Sequence, residues 1–128
     1  YAGQNVVLFF YPKDNTPGCT KEAIDFTADL PAFKAANTVV IGLSKDSVKK
    51  HDNFVAKHDL GVILASDADS DVCEQYSVWK EKSMYGKTYM GIERTTFLIN
   101  GEGVVAQVWN KVKVPGHVEA VLQAAQSL

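Results

Sequence analysis

An α/β fold with a mixed central sheet and helices on both faces is the class this sequence predicts. Short apolar runs typical of strands buried on both faces, NVVLFFY at 5–11 and VVIGL at 39–43, alternate with amphipathic stretches. The strand-helix order repeats along the first part of the chain, as parallel crossover units require. Near the end, NGEG separates two further apolar runs, a hairpin signal that adds an antiparallel pair.

Gly3 and Pro12 bound the first strand. Residues 17–30 read as a helix, which Pro31 ends or kinks before a short continuation to about Ala36. A second buried strand follows at Val39–Leu43, a second helix at Ser47–His58, a third strand at Val62–Ala65, and a short helix from Ser70 to about Trp79. Lys80 to Glu93 is polar, carries glycine and reads as a loop. Strands at Thr95–Ile99 and Val104–Trp109 flank NGEG. Pro115–Gln126 closes the chain, with Val118, Val121, Leu122 and Ala125 at i, i+3, i+4 and i+7 of a helix. The order implies a sandwich of thioredoxin-like type, one domain across 1–128, with no internal repeat.

With 128 residues and 46% apolar content, the chain can bury one sizeable core and is short for two. Thirteen basic against fifteen acidic residues leave a net charge of -2, which provides no single-sign field for nucleic acid or an anionic membrane. A small, roughly neutral partner fits better. The longest apolar run, Val6 to Tyr11, is far short of the ~20 residues that cross a bilayer, so the reading is a soluble protein. Two cysteines, Cys19 and Cys73, lie 54 positions apart without any CxxC. That argues against a disulfide framework and a zinc site, and fits a reducing, cytoplasmic setting. Tyr1 stands where Met would, with a strand under way by Val6, so an N-terminal segment is expected ahead of it.

Thr16 followed by Pro17 is a helix start, since a hydroxyl can cap orphan amides and proline suits the first helical position. Cys19 therefore falls in the first turn, where free N–H groups and the positive end of the helix dipole stabilise a thiolate. Cys19, Ala23, Phe26 and Leu30 share one stripe, which points the sulfur inward to the floor of a narrow pocket. On these residues alone the thiol is either a nucleophile or a small buried hydrophobe.

The stretch YPKDNTPGCTKEA resembles the active-site signature of peroxiredoxins, Pro-x-x-x-Thr-x-x-Cys, filled here by Pro12, Thr16 and Cys19. The likeness is to the bacterioferritin comigratory protein subgroup, also called PrxQ. It extends through VIGLSKDSVKKHDNF, LASDADSDVCEQYSVWKEKSMYGKTYMGIERTTFLIN and the hairpin. The family fold has an N-terminal hairpin that this sequence lacks. The resemblance implies a thiol-dependent peroxidase without a cofactor, acting on hydrogen peroxide and organic hydroperoxides. Cys19 would be the peroxidatic cysteine, attacking the peroxide and becoming a sulfenic acid. Thr16 would hydrogen-bond peroxide and thiolate, the amides of Gly18 and Cys19 and the guanidinium of Arg94 would face the developing charge, and Pro12 would close over the sulfur. Glu22, one turn on, would orient Arg94; an acidic residue in a first turn is also ordinary dipole chemistry.

Many relatives carry a resolving cysteine five residues after the first, where this chain has Ile24; others carry it in a later helix, and Ser47–His58 has none. Cys73 is the remaining candidate, placed at the margin of the stripe formed by Val72, Tyr76 and Trp79 and read as a half-buried structural thiol. The expectation is a one-cysteine mechanism, with thioredoxin, glutaredoxin or glutathione as reductant, in a monomer. The alternatives are a two-cysteine peroxidase using Cys73 and a non-catalytic redox sensor. A disulfide reductase normally pairs cysteines in CxxC, and the position three after Cys19 is Glu22. Ile24 should be partly exposed. His51 and His58 read as edge-of-core histidines, His117 as solvated, and Lys80, Lys82 and Lys87 as a solvated face. Met84, Tyr85, Tyr89 and Met90 read either as an apolar wall for organic hydroperoxides or as a covering loop.

Overall fold

A computed structural model describes residues 3–84 and 86–128. Five strands form a mixed sheet in the order β3-β2-β1-β6-β7, where β1 is Asn5–Phe10, β2 Thr38–Ser44, β3 Ile63–Ser66, β6 Thr95–Ile99 and β7 Val105–Trp109. β1 lies at the centre, parallel to β2 through Phe9↔Gly42 and antiparallel to β6 through Phe9↔Thr96. The run NVVLFF can be apolar at successive positions because both of its faces are covered.

Alternate residues of β1 enter two different cores. Val7 and Phe9, with the following Tyr11, pack against Cys19, Ala23 and Phe26 of α1 (Pro17–Ala28), Phe33 of α2 (Leu30–Ala35), Phe54 of α3 (Val48–His58) and Val118, Val121 and Ala125 of α5 (His117–Gln126). Leu8 and Phe10 face the other way, toward Cys73 of α4 (Val72–Gln75), Val78 and Ile92. Helices thus cover both faces, α4 contributing a single turn to the second.

Pro31 ends α1 as expected, with the break at Asp29, because its missing N–H and its ring disrupt the turn that precedes it. Ser47 caps α3 by accepting from the Lys50 amide at 3.2 Å, and Asp59 ends it in the left-handed region at φ 51°. Asn100 accepts from the amides of Glu102 and Val104 across the predicted hairpin turn.

Two expectations are corrected. The helix from Ser70 to Trp79 shrinks to Val72–Gln75, because Ser77 takes φ 59° and the Val78 amide turns back to the Cys73 carbonyl at 3.0 Å. The loop at 80–93 is instead an antiparallel ribbon, β4 (Trp79–Met84) with β5 (Lys87–Ile92), paired from Trp79↔Ile92 to Met84↔Lys87. Its charged and exposed side chains obscured the strand period, while backbone pairing and the buried Ile92 hold it in place.

Candidate active site

The backbone of Thr16 is extended at φ −83° and ψ 152°, Pro17 opens the helix, and Cys19 stands in its first turn with 1% of its surface exposed. The Thr16 side chain makes no cap bond. Its hydroxyl donates to the Lys13 carbonyl at 2.8 Å, and among the described residues it does not bond the Cys19 sulfur. Pro12 is half-buried immediately after Tyr11.

Arg94 enters from the chain leading into β6. Its Nη2 donates to Cys19 Sγ at 3.1 Å and its Nη1 to Glu22 Oε1 at 2.7 Å, so one guanidinium bridges the thiol and a carboxylate one turn further along α1. Gly18 makes room for it: a Cβ there would stand 3.2 Å from Arg94 Nη2. Glu22 is fully buried. Burial pushes its carboxyl up to about 7, against the opposing pull of Arg94. Lys82, expected in a solvated face, is half-buried on β4, and burial, with the Arg94 charge adding to it, lowers its pKa. Ile24 is 43% exposed, as its helical position requires. Tyr89 and Met90 are exposed on β5; Tyr85 and the side chain of Met84 lie outside the described residues.

The segment between β1 and α1, which carries Pro12 and Thr16, is tied down by His51 and by Tyr11, Asp14 and Asp46, the last three not singled out by sequence reasoning. Tyr11 donates to Asp14 Oδ1 at 2.6 Å, His51 Nδ1 meets Asp14 Oδ2 at 2.6 Å, and His51 Nε2 meets the Ala65 carbonyl at 3.0 Å. Both ring nitrogens of His51 therefore face oxygen acceptors, an arrangement that favours the imidazolium: burial alone would lower its pKa, but the hydrogen bond and charge of Asp14 raise it. The Asp14 amide donates in turn to Asp46 at 2.6 Å. His51 is a buried core-edge residue as expected, whereas His117 is not solvated: it is 6% exposed and 2.8 Å from Thr96 Oγ1. Gly116, at φ 76°, turns the start of α5 toward the core.

Cys73 is fully buried rather than half-buried, since the shortened α4 rotates it off the expected margin and onto the core. Its amide donates to Asp67 at 2.8 Å, and burial together with the Asp67 carboxylate pushes its thiol up to about 12. The body of the sheet separates it from Cys19, and both thiols are free.

Comparison with known proteins identifies the family. The AhpC/TSA family model matches residues 1–108. Peroxiredoxin Bcp of Xanthomonas campestris is 54% identical over 127 residues, covering 99% of this chain and 79% of the relative. Peroxiredoxin Bcp of Bacillus subtilis is 48% identical over 128 residues, covering 100% and 82%. Among solved structures, a Xanthomonas campestris bacterioferritin comigratory protein, studied for alkyl peroxide reduction through trapped intermediate and ligand complexes, superposes with a TM-score of 0.95 at 53% identity, covering 98% of this chain and 79% of that one. A Xylella fastidiosa PrxQ mutant superposes with a TM-score of 0.95 at 47% identity, covering 99% and 79%. With the model spanning most of its length and relatives of this identity, the chain belongs to the AhpC/TSA family, among the Bcp/PrxQ peroxiredoxins, and is a thiol peroxidase of thioredoxin-like fold.

Proposed function

We propose that the chain reduces hydrogen peroxide and organic hydroperoxides through Cys19 alone, and that a thiol from outside the chain returns the sulfur to its starting state. The observation that carries the reading is the Arg94 guanidinium, 3.1 Å from Cys19 Sγ and 2.7 Å from Glu22 at the start of α1. The Cys19 thiolate attacks one oxygen of the hydroperoxide: an S–O bond forms, the O–O bond breaks, and the departing oxygen takes a proton and leaves as water or alcohol. Negative charge moves from sulfur to the leaving oxygen. Arg94 and the amides of Gly18 and Cys19 are fixed donors along that path and need no reorganisation. With its hydroxyl proton given to Lys13, Thr16 keeps lone pairs to accept from the hydroperoxide O–H. Pro12 adds no N–H to compete for the oxidant.

The sulfenic acid then condenses with an external thiol, releasing water and leaving a mixed disulfide, and a second thiol frees Cys19. Thioredoxin, glutaredoxin and glutathione are the reductant classes that fit. Cys73 is a poor resolving group, because the nucleophile in such exchange is the thiolate, and burial together with Asp67 keeps this thiol protonated on the far side of the sheet. Two free thiols suit a reducing, cytoplasmic setting. We read the chain as one domain acting as a monomer. Stopped-flow oxidation followed by mass measurement tests the cycle: Cys19→Ser should abolish peroxide consumption and Cys73→Ser should retain it. A Cys19–Cys73 disulfide in peroxide-treated protein would refute it.

A further inference from the structure

Behind Arg94, one oxygen of the Glu22 carboxyl takes no part in the bridge to the guanidinium. Glu22 gives Oε1 to Arg94, but its Oε2 is buried without a hydrogen-bond partner. An unpaired carboxylate oxygen in a core is costly unless a proton or a donor reaches it. The nearest candidate is His117 Nε2, at 3.9 Å. The same nitrogen lies 2.8 Å from Thr96 Oγ1, and the ring is boxed edge-on by Phe26 and Trp109. A threonine hydroxyl can donate or accept, so Thr96 can follow whichever protonation state the nitrogen adopts.

We propose that His117 is a positioning residue for the peroxidase site, whose neutral ring turns an N–H toward the otherwise unpartnered Glu22 Oε2 and thereby sets how Glu22 holds Arg94 against Cys19. The inference rests on the reading of Cys19 as the reacting sulfur. The charged and titratable groups around the pair are Arg94 from the approach to β6, Cys19 and Asp25 from α1, and His117 itself from α5. Burial, with Arg94 adding to it, lowers His117 to about 4, so its ring is neutral at pH 7 while Glu22 titrates close to that pH. The carboxyl therefore holds its own proton below that region and gives it up to solvent above it. As the carboxyl ionises, the neutral ring can turn an N–H toward it.

Infrared difference spectra across pH, reading the C=O stretch of a protonated carboxyl, test the coupling independently of peroxide turnover. Wild type should show a step near pH 7 that is absent from Glu22→Gln. In His117→Leu the step should move up by about one pH unit, because hydrocarbon in place of the ring deepens the desolvation of the carboxylate. His117→Gln, which can donate to both Thr96 and Glu22, should move it back toward wild type. The acid-side inflection in the rate of Cys19 oxidation should move with the step. A step that stays in place or moves down in folded His117→Leu overturns the proposal. Should that variant not fold, the ring nitrogens of histidine-labelled wild type decide: they should shift across the Glu22 transition and lose that shift in Glu22→Gln, and an unchanged ring signal overturns the idea. A wild type that shows the step but leaves peroxide untouched removes the reading of Cys19 as the reacting sulfur and leaves the coupling of His117 to Glu22 intact.

Discussion

Cys19 and Cys73 pack on opposite faces of one sheet, the first beneath Val7 and Phe9 and the second beneath Leu8 and Phe10. A disulfide needs Cα atoms within about 7 Å, so β1 and its neighbours would have to be breached to join them. In Cys73→Ser, turnover with small thiols should stay within about twofold of wild type. Intact-mass spectra after one equivalent of peroxide should show added oxygen or a mixed disulfide, without the two-hydrogen loss of an internal bridge.

Replacing Arg94 tests electrostatic stabilisation of the leaving oxygen. Arg94→Lys keeps the charge but loses the fork that reaches sulfur and Glu22 together. Cys19 oxidation should slow by about 10²-fold, as for loss of one preorganised donor. The second-order rate constant with hydrogen peroxide measures this, with thermal melts to confirm folding.

Stability should depend on pH through His51. Burial alone would lower its pKa, but the hydrogen bond and charge of Asp14 outweigh that and raise it. The imidazolium is favoured by folding, so its contribution is complete below the unfolded value of about 6.5 and is lost as pH rises through the raised folded value. Melting midpoints of wild type and His51→Gln should therefore differ most below the unfolded value and converge as pH rises through the raised folded value. A constant difference across that range would rule out the charged pair.

Gly42 is a packing requirement in the centre of the sheet. A Cβ there would come within 2.5 Å of Phe9 Cζ and 2.9 Å of Leu64 Cδ2, and Phe9 stacks on Phe26 with ring centroids 4.6 Å apart, beneath the helix that carries Cys19. Gly42→Ala should cost about 1–3 kcal/mol in denaturant titrations, the usual range for an overpacked core.

The strands around Cys19 were legible because burial on both faces writes unbroken apolar runs into the chain, and NVVLFFY could hardly be anything else. The helix start at Thr16–Pro17 was equally plain, although the hydroxyl serves Lys13 rather than the cap. Arg94 reaches Cys19 across 75 residues, a contact local pattern cannot encode and only family likeness supplied. His117 gave no signal of burial: beside Pro115 and Gly116 at a helix start it reads as solvated, and its burial depends on how Gly116 turns the chain. The β4–β5 ribbon was missed because Lys80, Glu81 and Lys82 carry charge where an apolar alternation would have revealed a strand.

A cysteine that is 1% exposed meets its two reaction partners on unequal terms. A hydroperoxide presents a single slim oxygen, whereas a reducing thiol brings a peptide or a whole protein and must still align with the S–O axis. In a one-cysteine cycle the opening turn of α1 would have to unwind on each pass. Turnover would then inherit the temperature dependence of local helix opening, and amide exchange at Cys19 and Thr20 in the oxidised protein should keep pace with the rate of reduction.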